Sequence, residues 1–403
     1  MTMTATDLPG LVARYARRFH AVIGSEHHVA SPLAAWLLLA LCAPAAGGAQ
    51  RGELVDVLGC EPEEAAALAD GLLETPHPLV AAAAAVWNAA GKGDERWLAG
   101  LPASVERGPI PSQDQADRWA REHTLGLIEK FPVNITDDIY LLLATALATK
   151  VSWDRPFELA PGSALGPASP WGRQLEHVLA SPLGHPAFVA STVQAGDVAV
   201  HVGRARDGLL VVSVIAAHDI PAGAVLAAAH GLATDLALRQ PVPQRSLFDL
   251  PLGDGPLWSV HEEMSHAGAG ESCNAFLPAW EAHSLHDLGD RRLGFAAAAA
   301  ALGRGDPWAA NQAAMARYTR VGFEAAAITA VGFALSGRPP GLWRTADLRF
   351  CYPYAVIAVA ADDSWRRGEA QSAWARRWNG VPIFSAWVTE PREAGNGGSE
   401  AQR

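Results

Sequence analysis

The sequence contains little lysine and carries an excess of negative charge. Its only lysines are Lys92, Lys130 and Lys150, and its formal net charge is −11, from 31 basic and 42 acidic residues. A dedicated nucleic-acid binder needs a basic stripe, so this balance disfavours that class of protein. The scarcity of lysine and the abundance of alanine are typical of a GC-rich bacterial coding bias.

Cysteine is also scarce and has no pattern. Cys42, Cys60, Cys273 and Cys351 form no CxxC pair, which excludes the common zinc and redox motifs. In so long a chain, four cysteines are typical of buried free thiols, with a disulfide as the alternative. We therefore expect a reducing, cytoplasmic compartment, with an extracellular location as the alternative.

One stretch, residues 29–49, has no charged side chain. Pro32 and Pro44 interrupt it, which leaves an apolar run nearer the length of a buried helix than of a membrane span. The segment before it is long and contains Asp7 and Glu26, unlike the start of a signal peptide. We predict a soluble protein with no contact to membranes.

Motifs of enzymatic chemistry are missing. The sequence has no GxGxxG, no GxxxxGK[ST] and no GxSxG. His261 and His266 are five residues apart rather than four, so they cannot share the face of a zinc-binding helix, and a surface turn is predicted there. The 14 histidines leave room for a Ser/His/Asp triad that no motif marks. We predict no metal, no cofactor and no enzymatic activity.

The N-terminal third reads as mostly helical. Apolar residues at helical spacing predict a helix over Leu8–Ile23, and Ser31 before Pro32 is a helix start signal. Two short helices are predicted over residues 51–58 and 62–73, and another over 119–130.

The remainder alternates strands with loops. Residues 139–151 fit a helix or a strand, whereas residues 160–190 and 240–276 have the composition of loops. Residues 193–216 are rich in valine and predict two strands, which residues 203–208 separate. Two more are predicted near the C-terminus, over Tyr354–Ala360 and Pro382–Val388.

Six short motifs occur in an order that one protein family also shows. They are Ser31-Pro32-Leu33 with ELVDVLG at 53–59, WAREHTLGLI at 119–128, ALATKVSWDRPF at 146–157, LPAW at 277–280 with LGF at 293–295, GFEAAAITA at 322–330, and FCYPY at 350–354 with GVPIFSAWV at 380–388. Each motif alone is weak, but the ordered set resembles the serpins, while residues 160–275 match poorly.

The resemblance implies an α+β fold of eight or nine helices around three β-sheets, with an exposed reactive-centre loop. It implies a single serpin domain over residues 8–391 and a disordered tail over 392–403. The implied function is a monomeric serine protease inhibitor, or one of cysteine proteases, that acts as a suicide substrate. The alternative is a non-inhibitory binding protein of the same fold.

The resemblance also assigns a reactive-loop hinge that must be exposed first and inserted later as a strand. Small side chains suit both states, and period-two alternation places Ala325, Ala327 and Thr329 on the inward face. An alanine-rich helix is the alternative for the segment. The hinge residues are Gly322, Phe323, Glu324, Ala325, Ala326, Ala327, Ile328, Thr329 and Ala330.

Two further sets of positions follow from the resemblance. Ser31, Thr145 and Gln312 fall in the sheet-opening region, where Thr145 and Gln312 depart from the family's Asn and His. Phe323 also departs, because the hinge there has Thr or Ser, and a ring could obstruct insertion. The scissile-bond candidates are Leu335, Ser336, Gly337 and Arg338, with Leu342 and Arg344 as later alternatives.

Overall fold

The computed structural model describes residues 7–89, 94–205, 208–266, 268–303, 308–322 and 340–395. The helices are α1 (Leu8–Ile23), α2 (Pro32–Cys42), α3 (Gly48–Leu58), α4 (Pro62–Leu73), α5 (Glu95–Gly100), α6 (Gln113–His123), α7 (Pro170–Gln174), α8 (Ala222–Leu238), α9 (Phe295–Gly303) and α10 (Ala375–Trp378). The strands are β1 (His28–Ala30), β2 (Val80–Asn88), β3 (Val105–Gly108), β4 (Leu141–Thr149), β5 (Glu158–Pro161), β6 (His177–Ala180), β7 (Ala187–Thr192), β8 (Gly196–Ala205), β9 (Leu209–Ile215), β10 (Gly253–Asp254), β11 (Trp258–Ser265), β12 (Gly270–Leu277), β13 (Trp280–Asp287), β14 (Asn311–Tyr318), β15 (Gly341–Arg349), β16 (Tyr354–Ala360) and β17 (Pro382–Val388).

The predicted α+β class is confirmed. The described residues hold ten α-helices rather than eight or nine, because α7 and α10 are single turns of five and four residues. The helices over Leu8–Ile23 and Pro62–Leu73 begin and end where the apolar spacing places them. The strands over Tyr354–Ala360 and Pro382–Val388 are also confirmed.

The chain divides into two compact units. The first unit comprises Met1–Lys150, His283–Met315 and Val359–Ser385, and the second comprises Val151–Ala282, Ala316–Ala358 and Ala386–Arg403.

The first unit contains a sheet with the order β3-β2-β4. The β2 strand pairs in parallel with β3 and antiparallel with β4, over nine residue pairs from Val80↔Thr149 to Asn88↔Leu141. Trp87 of β2, Trp119 of α6 and Phe131 pack edge to face at centroid distances of 5.3 to 6.4 Å. These rings attach α6 to the sheet, since aromatic pairs prefer this geometry in a core.

Helix α2 forms the centre of the first unit. Ser31 caps it by accepting a hydrogen bond from the Ala34 amide at 3.2 Å, as the start signal predicts. Almost every residue from Pro32 to Cys42 is buried, which explains why the stretch carries no charge. No helix in the described ranges is long and apolar enough to cross a bilayer.

The second unit contains two strand systems. Strands β7, β8 and β9 pair antiparallel in chain order, with β9 buried along its whole length. The other sheet has the order β10-β11-β15-β12-β6-β5. Its central strand β15 pairs antiparallel with β11 and parallel with β12, so both of its edges are hydrogen-bonded.

The helix predicted over residues 119–130 is wrong in its bounds. The observed helix α6 begins earlier because Ser112 and Gln115 form a capping box, with each side chain bonded to the other's backbone amide. It ends at His123 because Leu125 and Gly126 adopt positive φ values of 55° and 78°, which a continuing helix cannot accommodate.

The remaining errors concern strands taken for helices, loops or turns. Strands β2 and β3 interrupt the region predicted as mostly helical. Strand β6 lies within residues 160–190, which β5 and β7 also enter, and β11 lies within residues 240–276, which β12 enters. His261 lies in β11, so the surface turn predicted there is wrong. Alanine-rich β2 has the composition of a helix, and its pairing with β3 and β4 makes it a strand.

Part of the predicted tail is described. Arg392 forms an isolated antiparallel β-bridge with Ala279, and its guanidinium contacts the Glu281 carboxylate at 2.6 Å. The Ala394 amide donates to the His177 carbonyl at 3.2 Å. Residues 396–403 lie outside the described residues.

Two glycine-to-alanine changes should have opposite effects on stability. At Gly162 an added Cβ would lie 2.0 Å from the Leu175 carbonyl oxygen, so the backbone must shift. At Gly52, inside α3, nothing lies within 4 Å. We expect Gly162→Ala to lower the free energy of unfolding by about 1–3 kcal/mol. We expect Gly52→Ala to raise it by about 0.5–1 kcal/mol. Urea denaturation measures both, and equal effects would contradict the packing around Gly162.

Candidate functional site

Ser31 and Gln312 lie together in the first unit. The Ser31 amide donates to Gln312 Oε1 at 2.9 Å, and Gln312 Nε2 donates to the Ser31 carbonyl at 2.8 Å. The Ser31 hydroxyl donates to the Ile383 carbonyl at 2.8 Å. Both side chains are buried, so losing either partner would leave unsatisfied polar groups. Two of the residues assigned to sheet opening, Ser31 and Gln312, thus form one closed network.

Thr145 reaches the same region from β4. Its hydroxyl donates to the Ala34 carbonyl at 2.9 Å, in the first turn of α2. It does not contact Gln312 directly, so the structure brings Ser31 and Gln312 together and places Thr145 one helical turn away.

A cavity of about 410 Å³ lies beside this network, with every lining residue in the first unit. Strand β4 and the first residues of β14 lie on its sides, and α2 and α9 contribute apolar side chains. Within the described residues, β4 hydrogen-bonds to β2 along one edge and to no strand along the other. The unpaired edge therefore faces a space that is not filled by the described chain.

Gly322, the first residue of the assigned hinge, is tightly held in the second unit. It bridges to Ser152 with φ at +77°, and its carbonyl accepts from the Thr319 hydroxyl at 3.0 Å. An added Cβ would lie 2.1 Å from the Val151 carbonyl oxygen, so both space and φ require glycine here. The chain thus enters the hinge from a fixed point.

The SWDRPF segment, residues 152–157, supplies that fixed point. Trp153 Nε1 donates to the Thr319 carbonyl at 2.9 Å, and the Phe157 amide donates to the Arg320 carbonyl at 2.9 Å. Trp153 also lies over Gly203, where a Cβ would come within 3.0 Å of its ring. The motif's tryptophan and phenylalanine therefore position the strand that leads into the hinge.

The other assigned hinge residues, Phe323–Ala330, and the scissile-bond candidates Leu335, Ser336, Gly337 and Arg338 lie outside the described residues. We refer to residues 323–339 as the bait segment. After it, the structure resumes at Pro340 and enters β15.

Both later alternatives for the scissile bond lie inside β15. Leu342 and Arg344 pair with Met264 and Glu262 of β11. Arg344 forms an ion pair with Glu262 at 2.8 Å and donates to the Leu247 carbonyl at 2.8 Å. Because both edges of β15 are hydrogen-bonded, neither residue offers a protease cleft a free strand edge.

Sequence reasoning missed a buried histidine pair in the second unit. His185 Nδ1 and His201 Nε2 lie 3.3 Å apart, and the Phe157 ring contacts both imidazoles. Burial, and then Arg204 and Arg155, lowers the pKa of His185 to about 4. Burial and His185 hold the pKa of His201 well below its usual value. The HxGR and GHP contexts of these histidines carry no sequence signal of pairing.

One arrangement superficially resembles hydrolase chemistry. Ser385 Oγ lies 2.6 Å from His20 Nε2, and His20 Nδ1 lies 3.1 Å from His28 Nε2. All three side chains are buried, and none of them lines the cavity. These three side chains are therefore closed to a substrate. Their burial argues against a role for them as the catalytic triad that the sequence left possible. Among the residues that the structure describes, no group of three or more His, Cys, Asp and Glu could hold a metal ion.

No protein-family model matches the chain, and no curated protein matches its sequence. Solved structures do match over nearly the whole length. The thermophilic serpin tengpin in its native state is 13% identical, with a TM-score of 0.63, 97% of this chain covered and 96% of that one. The chain has the serpin fold.

Other serpin-fold structures match as well. Serpin48 of the insect Tenebrio molitor is 13% identical, with a TM-score of 0.59 and coverage of 97% of this chain and 100% of that one. Human thyroxine-binding globulin complexed with its hormone is 12% identical, with a TM-score of 0.62 and coverage of 96% and 99%. The serpin fold thus extends over residues 160–275, where the sequence motifs match poorly.

The buried histidine pair should make the protein acid-sensitive. Because the pKa of His185 in the folded state lies below its unfolded value near 6.5, the unfolded chain binds more protons as pH falls from about 7 to 4. The free energy of unfolding should therefore fall through that window, by on the order of 3 kcal/mol for His185.

Urea denaturation across this pH range measures the effect. His185→Leu should reduce the pH dependence, whereas the same change at exposed His266 should leave it as it is. An unchanged slope in His185→Leu would show that His185 does not titrate as its burial demands.

Proposed function

We propose that this protein is a serpin-type serine protease inhibitor that acts as a suicide substrate. The observation that carries the proposal is the unpaired edge of β4 beside the 410 Å³ cavity. We further propose a single functional domain over residues 8–391, a monomer that needs no cofactor and has no enzymatic activity of its own. Its partner is a serine protease, with a cysteine protease as the alternative, and not a nucleic acid or a membrane.

An exposed strand edge is a template for another strand. Each unpaired N–H and C=O along β4 gains a partner when an extended segment lies beside it, as in recognition by strand addition. Ala325, Ala327 and Thr329, the small inward side chains of the hinge, would fit such a site without overpacking. Residues 323–336 would extend about 46 Å as a strand, and the nine residues of β4 about 30 Å. The bait segment is therefore long enough to pair along all of β4.

The fixed ends of the bait segment explain why cleavage would be the trigger. Gly322 is held by Ser152 and Thr319, and β15 is held by β11 and β12. Residues near Pro340 cannot leave while β15 stays paired on both edges. Cutting the bait segment separates it from β15, and the hinge side is then free to insert.

The chemistry would be that of an interrupted hydrolysis. The protease's serine attacks the carbonyl carbon of the scissile bond, forms an ester with the hinge-side fragment, and releases the amine of the β15-side fragment. Insertion then carries the ester-linked protease with it. If insertion distorts the protease before water attacks the ester, the complex stays covalent.

The proposal favours a target with an apolar or small S1 pocket. Arg338 precedes Pro339, and a proline after the scissile bond lacks the N–H and fixes φ, which protease clefts tolerate poorly. Arg344 is excluded by its place in β15. Leu335 and Ser336 remain as the residues that would enter the pocket, and they suit elastase- or subtilisin-like enzymes.

A non-inhibitory binding protein is the second candidate function. Phe323 favours it, because a ring at the first inward position must find space or cost about 1–3 kcal/mol of overpacking. One neighbour of the same fold is a globulin that carries thyroxine. The two candidates differ in outcome: only an inhibitor yields an SDS-resistant adduct with the protease.

A matched pair of hinge variants tests strand insertion. Ala325 faces inward after insertion and Ala326 faces outward, by period-two alternation. Ala325→Arg should abolish the covalent adduct with subtilisin or elastase while the bait segment is still cleaved, because a buried unpaired charge is costly. Ala326→Arg should keep most of the adduct. Equal behaviour of the two variants, measured by SDS gels and mass spectrometry, would refute insertion in this register.

The ring at position 323 should set the balance between trapping and turnover. If it slows insertion, the protease completes hydrolysis first, and the protein behaves largely as a substrate. Phe323→Thr should then raise the covalent fraction per cleavage event, measured as inhibitor molecules consumed per protease inactivated. Efficient trapping by the wild type with no gain in Phe323→Thr would show that the sheet accommodates the ring.

A further inference from the structure

The cavity of the first unit has an unusual charge distribution in its lining. Its deep side is apolar, with Leu38 from α2, Leu142 from β4, and Phe295 and Leu302 from α9. Among the described lining residues, Asp138 is the single charged side chain, and no Lys, Arg or His lines the space. An anion in this cavity would thus meet no positive partner among the described lining residues.

Polar groups of the lining gather in one segment. Asn134, Thr136 and Asp138 belong to the exposed turn that precedes β4, and the Thr136 hydroxyl donates to the Asp138 carboxylate. This bond lowers the pKa of Asp138, so the carboxylate is ionised at neutral pH. Trp308, also in the lining, keeps 43% of its surface exposed. The cavity therefore has an apolar interior and an acidic, partly aromatic mouth.

Deeper polar groups do not call for a polar ligand. The side chains of Ser31, Gln312 and Thr145 already bond to backbone groups of the first unit. The Thr124 hydroxyl likewise donates to the Ala120 carbonyl and accepts from the Ile128 amide. A molecule that fills the interior must therefore be apolar there. The volume of the cavity, about 410 Å³, lies in the range of small-ligand pockets.

We propose that this cavity is a binding site for a small lipophile whose single polar head is uncharged or cationic, with the head at Asp138 and the hydrocarbon among the α2 and α9 side chains. The gain comes from burying apolar surface. Head-group selectivity comes from the carboxylate of Asp138, which favours a cation over an anion. Fatty acids, which carry the opposite charge, are disfavoured.

The site also has a regulatory consequence, which rests on the proposed function. A ligand in the cavity occupies the space beside the unpaired edge of β4, where the bait segment would pair. It should therefore slow insertion and turn the protein from an inhibitor toward a substrate. Binding itself does not require the protein to inhibit any protease, so the two statements can fail separately.

Three probes with the same ten-carbon chain test the site. Decylamine, decanol and decanoate are titrated into the full-length protein by isothermal calorimetry, below the concentrations at which they aggregate. Decylamine and decanol should bind at one site. Decanoate should bind about tenfold more weakly than decylamine. The Asp138 carboxylate attracts the ammonium of decylamine and repels the carboxylate of decanoate, and each of these weak surface interactions changes the affinity by about threefold. Binding of none of the three, or equal binding of decanoate, would overturn the proposal.

Two adjacent aspartates provide a matched control. Asp138 lines the cavity, whereas its neighbour Asp137 does not. Asp138→Asn should weaken decylamine by about threefold and leave decanol unchanged, as expected for one partly exposed ion pair. Asp137→Asn should change neither. Equal effects of the two substitutions would show that only the general negative charge attracts the amine.

Filling the cavity tests its interior. Ala298 of α9 lines the space and is 4% exposed, so Ala298→Phe should remove binding of both decylamine and decanol. If this variant does not fold, the aspartate pair still decides the proposal. Binding that survives in a folded Ala298→Phe protein would place the ligand elsewhere.

A protease assay separates this site from the proposed function. Saturating decylamine should lower the covalent fraction per cleavage in wild type but not in Ala298→Phe, provided that the variant still traps. If the wild type forms no adduct yet binds decylamine with the predicted selectivity, the ligand site stands and the proposed function fails. If decylamine binds and trapping is unaffected, the ligand does not occupy the insertion space, and the regulatory consequence is refuted.

Discussion

The two hydrogen bonds between Ser31 and Gln312 are the contact on which the first unit depends. They join the start of α2 to the first residues of β14, with the side-chain amide satisfying both the N–H and the C=O of one residue. Because both partners are buried, neither group can turn to water if the other is lost. The bonds therefore hold β14 beside α2 while the space next to β4 stays open.

An open strand edge beside an empty apolar cavity is costly in a folded protein. Natural proteins normally cover such edges, since unpaired N–H and C=O groups invite another strand. Cavities of this kind also forgo the packing that their lining could make. The serpin fold retains both features here, and the proposed function gives them a use, because inserting a strand would satisfy the edge and fill the space together.

Departures from the family pattern at the sheet-opening positions are accommodated locally. Threonine at 145 has no amide, yet its hydroxyl reaches the Ala34 carbonyl. Glutamine at 312 cannot titrate as a histidine does, yet it makes two hydrogen bonds to Ser31. Buried histidines lie elsewhere in both units: burial lowers the pKa values of His28 and His286 in the first unit and of His185 and His201 in the second. Acid sensitivity is therefore expected from these four side chains rather than from position 312.

The sequence alone determined the capped helices, such as α1 and α2, and the strands rich in β-branched residues, such as β9 and β16. Helix caps and β-branched runs are local signals, because a short stretch of sequence contains the whole pattern. The order of its motifs predicted the serpin fold, and with it the places of Ser31 and Gln312. Tertiary structure decided the alanine-rich strand β2, since alanine favours a helix and pairing with β3 and β4 overrides that preference. It also decided that Arg344 belongs to β15, and that His185 meets His201. Those facts depend on partners far away in the chain, which no local pattern can specify.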